Sequence, residues 1–159
     1  MSQVPPQVPD TLAAGRRSLG YTLIELVVVM MVISILAGIA MQLYHGFVIR
    51  ARAADIIGDM NAVKVAVLTY QSDHNAWPPD AGSGRIPTGL AEYLPGGFSF
   101  DNEDFVLDYE NWSGRGSSPF NVGVAFITEE EPLGLWVMDI MGSSIWPGGS
   151  GRFTWVIDG

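Results

Sequence analysis

The sequence predicts an α+β fold. A long N-terminal α-helix, membrane-spanning in its first half and amphipathic in its second, packs on a C-terminal antiparallel β-sheet. Three observations predict it. Residues 26–44 contain neither a charge nor a proline. No proline occurs between Pro9 and Pro78, and helix formers continue past the apolar block. Beyond Pro95 the chain breaks into short runs of valine, isoleucine and aromatics, separated by glycine, serine, proline and acidic clusters, the pattern of strands joined by turns.

The apolar block sets the first half of the helix. Its 19 residues match the roughly 20 needed to cross a hydrocarbon core ~30 Å thick. A single helix over residues 22–70 would be about 70–75 Å long. Past residue 45 its character changes. Phe47, Ala51, Ala54, Ile57, Val63, Val67 and Tyr70 fall largely on one side at three- and four-residue spacings, with Ile56 and Met60 adjoining. Arg52, Asp55, Asp59, Asn61 and Lys64 lie mostly elsewhere. Such a helix needs a surface to pack against, most simply the chain's own C-terminal half.

After Tyr70 the helical pattern stops. The run Asp73-His74-Asn75-Ala76-Trp77-Pro78-Pro79-Asp80 reads as a helix stop and turn, because proline cannot continue a helix and restricts the residue before it. Residues 90–94 suit a short helical turn. Strands are expected over residues 105–109, 122–127, 135–140 and 153–157. Phe105/Leu107/Tyr109 and Phe153/Trp155/Ile157 alternate as a half-buried sheet requires, so these aromatics are read as core before binding surface. Glu129-Glu130-Glu131 before Pro132, and Pro147-Gly148-Gly149-Ser150-Gly151, read as turns.

Composition narrows the function. The 159 residues carry a formal charge of −9 and no cysteine. Thiolate metal sites, a cysteine nucleophile and disulfide staples are thereby removed. Without residues 1–20 the balance is 6 basic against 16 acidic residues, and the basic ones are scattered; that field argues against nucleic-acid binding. His45 and His74 are isolated, and no nucleophile-elbow or phosphate-loop motif occurs. An enzyme is not expected.

The remaining oddity is Glu25, a carboxylate at the start of the apolar block. Such a group costs about 2.5–3.5 kcal/mol on insertion scales, so something must offset it. Arg16 and Arg17 could begin a secretory signal, with Gly38-Ile39-Ala40 as its cleavage site, but Glu25 counts against that reading. A plain signal anchor explains neither Glu25 nor Gly20. Counting charges gives no orientation, since Arg50 and Arg52 follow the block as closely as Arg16 and Arg17 precede it.

The basic leader ending in Gly20, then Tyr21 and the run Thr22-Leu23-Ile24-Glu25-Leu26, resembles the prepilin peptidase site of type IV pilins and type II secretion pseudopilins. The resemblance covers about the first third of the chain, with Tyr21 in place of the usual phenylalanine. It implies cleavage after Gly20 on the cytoplasmic side and N-methylation of the new amine on Tyr21. It further implies a role for Glu25 in assembly, pairing with the N-terminal amine of a neighbouring subunit; a charge pair offsets much of the desolvation that either charge alone would suffer. The division expected is a leader at residues 1–20, a transmembrane and assembly half at 21–45, and a pilin-like head at 46–159. Many pilins carry a helix proline that this chain lacks.

Tyr70, Asp73, Trp77 and Pro78, followed by Thr88-Gly89-Leu90, are similar to the loop after the long helix in pseudopilins. Major pseudopilins bind calcium in a head loop, and Asp101, Asn102, Glu103 and Asp104 offer oxygen ligands of the right kind. They lack EF-hand spacing, and a solvated acidic loop is the preferred reading. The resemblance implies a structural subunit of a type II secretion pseudopilus that supports protein secretion; the alternative is a type IV pilus subunit. Its implied partners are other pilin-like subunits, the prepilin peptidase and an inner-membrane assembly platform. Its implied place is the bacterial inner membrane as a single-pass protein with a periplasmic head, then a periplasmic or extracellular filament.

Overall fold

The computed structural model describes residues 20–114 and 119–159; the expected leader, Gly20 apart, lies outside them. Helix α1 spans Leu23–His74, 52 residues, and ends one turn beyond the expected Tyr70. The chain divides into two compact units, residues 1–41 and 42–159. In the first unit every residue from Gly20 to Met41 is exposed, so its valine, isoleucine, leucine and methionine side chains have no protein cover.

In the second unit the remainder of α1 packs on a four-stranded sheet. The strands are β1 (Val106–Asn111), β2 (Val122–Ile127), β3 (Ile145–Pro147) and β4 (Arg152–Asp158), in the order β1-β2-β4-β3. All neighbouring pairs are antiparallel. Phe126 pairs with Leu107 on one side and Phe153 on the other, and Val124 with Tyr109 and Trp155. Those side chains share the sheet face that carries the core. Ala53, Ile56, Met60, Val63, Ala66 and Val67 of α1 complete it, with Phe100, Leu133 and Val137.

The amphipathic face is therefore rotated from the expected one. Ile56, Met60, Val63 and Val67 are buried, but Phe47, Ala51 and Ala54 are exposed and Ala53 takes the inner position. Residues 53, 56, 60, 63 and 67 keep the alternating three- and four-residue spacing of one helix stripe. Alanine is small enough to sit on either face, so it gave the pattern no purchase.

The segment expected as a strand over residues 135–140 is instead helix α2, Glu131–Met141. Pro132 lies in its first turn, where a missing N–H costs nothing, and Gly142 at φ 58 ends it by donating its N–H to Met138 O. Leu133 and Val137 make its buried stripe. Gly134 is required there, because a Cβ would collide with the Phe153 ring. The turn read at residues 129–131 thus delivers Glu131 as the first residue of a helix. Strand β3 was not expected at all; it is three residues long and ends in a proline, as suits an edge. Residues 90–93 form the expected short turn, as a 3₁₀ helix (Leu90–Tyr93).

Both flanks of the sheet are managed. On the outer edge of β1, Leu107 N–H donates to Phe100 O at 2.7 Å and Leu107 O accepts from Gly84 N–H at 2.8 Å. On the face away from the core, Arg152 reaches across from β4 to Asp108 and to Glu110, the latter at 2.5 Å. Ser83 Oγ also donates to Asp108 at 2.8 Å, and together these partners hold a carboxylate that is only 4% exposed.

Candidate processing and assembly site

The segment that raised the energetic question begins α1. Residues 20–22 precede the helix, and Thr22 stands at its N-cap. Thr22 Oγ1 accepts from Glu25 N–H at 3.3 Å, while Glu25 Oε2 accepts from Thr22 N–H at 2.9 Å and from Thr22 Oγ1–H at 2.8 Å. This is a capping box, in which threonine and glutamate reciprocally satisfy donors that a helix start leaves open. The positive end of the helix dipole also favours an anion at Glu25.

Gly20, Tyr21 and Glu25 are all exposed at the start of α1. Tyr21 is 82% exposed, so the bond after Gly20 is open to approach. Among the described residues Glu25 Oε1 receives no hydrogen bond, which leaves one carboxylate oxygen free for a second donor. The Thr-x-x-Glu capping signal lies in plain sight within residues 22–25, inside the longer motif.

The acidic head loop is tied to the long helix by an arginine. Arg52 of α1 grips Asp104 through two contacts, Nε to Oδ2 at 3.0 Å and Nη2 to Oδ1 at 2.6 Å. Its Nη1 reaches Glu130 at 2.8 Å. The paired acids raise the guanidinium pKa, the Asp104 hydrogen bond most of all. Asn102 turns inward on its own loop, donating from Nδ2 to Ser99 O at 3.3 Å. Among the described residues no group of three His, Cys, Asp or Glu is placed to hold a metal ion; of Asp101, Asn102, Glu103 and Asp104, Asp104 is taken up by Arg52.

At the far end of α1, His74 stacks on Tyr70 at 4.2 Å, and Tyr93 donates its hydroxyl to Asp73 at 2.9 Å. That bond raises the Tyr93 pKa, since the phenolate would lose it. Tyr109 of β1, buried in the core, has its pKa pushed well up by desolvation. These groups are structural fasteners of the helix end.

Comparison with known proteins bears on the N-terminal segment first. Residues 15–41 match the family described as the prokaryotic N-terminal methylation motif. The fimbrial protein EcpC of Eikenella corrodens is 38% identical over 76 residues, 47% of this chain and 50% of that one. The type IV major pilin protein PilE of Neisseria gonorrhoeae is 36% identical over 67 residues, 42% of this chain and 40% of that protein. A fimbrial protein of Neisseria meningitidis is 35% identical over 69 residues, covering 43% and 41% of the two chains. The chain spans half or less of the length of these relatives. No solved structure matches it significantly. The long helix thus begins with the prokaryotic N-terminal methylation motif, and the chain is similar over less than half its length to type IV pilin and fimbrial proteins.

Proposed function

We propose that this chain is a non-enzymatic structural subunit of a type IV pilus. Cut after Gly20 and methylated at Tyr21, it would polymerise through its N-terminal helix. The observation that carries the reading is the nakedness of that helix. An uncharged run of 19 residues stands wholly exposed in a chain that has a well-filled core elsewhere. Exposed apolar surface on this scale is stable only under lipid or under other copies of the same helix. A subunit held in the inner membrane, its head in the periplasm, and then moved into a filament uses both covers in turn. Residues 1–20 serve as leader, 21–45 as the assembly half and 46–159 as the head.

Glu25 supplies direction to an otherwise unspecific apolar contact. Cleavage after Gly20 creates a positive amine on Tyr21, four residues before Glu25, where the capping box closes. The free Oε1 can receive a neighbour's amine while Oε2 keeps its own cap. A carboxylate with no such partner is costly in hydrocarbon, so a subunit out of register is penalised. The prepilin peptidase and an inner-membrane assembly platform are the partners this route requires. Glu25→Ala is expected to leave the protein inserted and processed but poor at filament assembly; filaments at the unsubstituted level would contradict the pairing.

A second reading, a type II secretion pseudopilus, rests on the loop Trp77-Pro78 with Gly89-Leu90. Gly89 lies at φ 83, close against the Tyr70 ring, so it has a local packing reason in any pilin-like head. The pilin and fimbrial names of the relatives favour the pilus. Deleting the gene and scoring surface fibres against secreted enzymes separates the two: loss of secretion with fibres intact would overturn the pilus reading.

A further inference from the structure

Among the described residues of the head, every cation but one is engaged. Arg50 lies over the Trp136 ring and Lys64 over Trp155, each at 4.3 Å. Arg52 is paired with Asp104 and Glu130, and Arg152 with Asp108 and Glu110. The exception is the exposed guanidinium of Arg85. Its turn is firmly built: Gly82 and Gly84 adopt positive φ, Arg85 N–H donates to Gly82 O at 3.2 Å, and Gly84 N–H ties the turn to the outer edge of β1. A lone cation is thus presented on a fixed loop of an acidic protein.

The complementary surface is the outer face of α2. Glu131, Leu135 and Asp139 follow one another at i, i+4 spacing, and with Pro132 and Trp136 they line a shallow groove of about 670 Å³. Leu135 is 56% exposed. Neither Glu131 nor Asp139 has a hydrogen-bond or ion-pair partner among the described residues. Helix α2 rests on Phe153 of β4, whereas the Arg85 turn is fastened beyond β1, with β2 between those strands. The two surfaces of one chain are therefore held apart.

We infer that the Arg85 turn of one copy docks on the α2 groove of a second copy, its guanidinium on Asp139 and Ile86 beside Leu135. Opposite charges set the register of such a contact and exclude other alignments. Because the two surfaces differ, the contact is heterologous; it propagates from copy to copy instead of closing a pair, as a filament needs. The inference rests on the filament reading and adds a head-to-head contact to the packing of N-terminal helices.

The absence of cysteine gives a clean background for the test. In filaments of the Arg85→Cys/Asp139→Cys double variant, oxidation should produce a ladder of linked subunits. In parallel, Arg85→Glu should lose assembled filament, and Arg85→Glu/Asp139→Arg should recover it. Circular dichroism of the detergent-solubilised chains checks that the variants fold. Filaments without a ladder, or a double reversal no better than Arg85→Glu alone, would overturn this contact and leave the filament reading standing. Absence of filaments from the unsubstituted chain would overturn both.

Discussion

Thr22 and Glu25 start the long helix, and in the proposed function Glu25 would also guide assembly. Their reciprocal hydrogen bonds close the first turn of α1, and the same carboxylate keeps an oxygen for another donor. Thr22→Ala is expected to cost about 1 kcal/mol of helix-start stability, seen as faster amide exchange at Leu23–Glu25 in the detergent-solubilised chain; Thr22→Ser should retain protection. Glu25 was legible in the sequence because its whole motif is contiguous. The role of Arg52 was not, since Asp104 and Glu130 lie far along the chain and no local pattern links them. Arg52→Ala should lower head stability by about 1 kcal/mol, the upper end for an exposed pair, justified by its double grip on Asp104. Thermal unfolding measures this, and the loss should shrink at high salt. Asp59 gives a pH-dependent case. Burial first, and Asp55 one turn away second, raise its pKa above the ordinary 3.8. The native chain holds this proton more tightly than the unfolded chain, so the residue's contribution to stability falls as pH rises from the ordinary value through the native one. Asp59→Asn is expected to raise the unfolding temperature at neutral pH and flatten that slope; an unchanged pH profile would contradict the assignment.

Among elements, α1 and α2 make an instructive pair. The long helix could be read because its apolar block, absence of proline and following stripe all agree. Residues 135–140 were misread because a short apolar run fits a buried strand or a buried helix equally well. The deciding marks lay at its borders, Pro132 in the first turn and Gly142 just past the end. Strand β3 gave no usable signal, for three residues are too few to show alternation. Helix α2 also depends on a close approach that composition cannot reveal. Gly134→Ala sets a methyl against the Phe153 ring, and overpacking of this kind costs about 1–3 kcal/mol. Urea unfolding of the variant should show a lower midpoint with an unchanged slope.

On the scale of the whole molecule, the chain separates a naked apolar helix from an acidic head with its own core. The head explains why the fold was only half legible. Its core is assembled from residues far apart in sequence, such as Met60, Phe100, Tyr109, Phe126 and Val137, whereas the methylation motif sits in one short run. In the proposed function, cleavage within that run would give the helix a defined first residue, and with it a charged amine for Glu25. Mass spectrometry of the mature N-terminus, on protein from cells that carry the peptidase, tests this most directly. A first residue of N-methylated Tyr21 is the expected result; a chain starting at Met1, or at Met41 after a secretory cut, would contradict it.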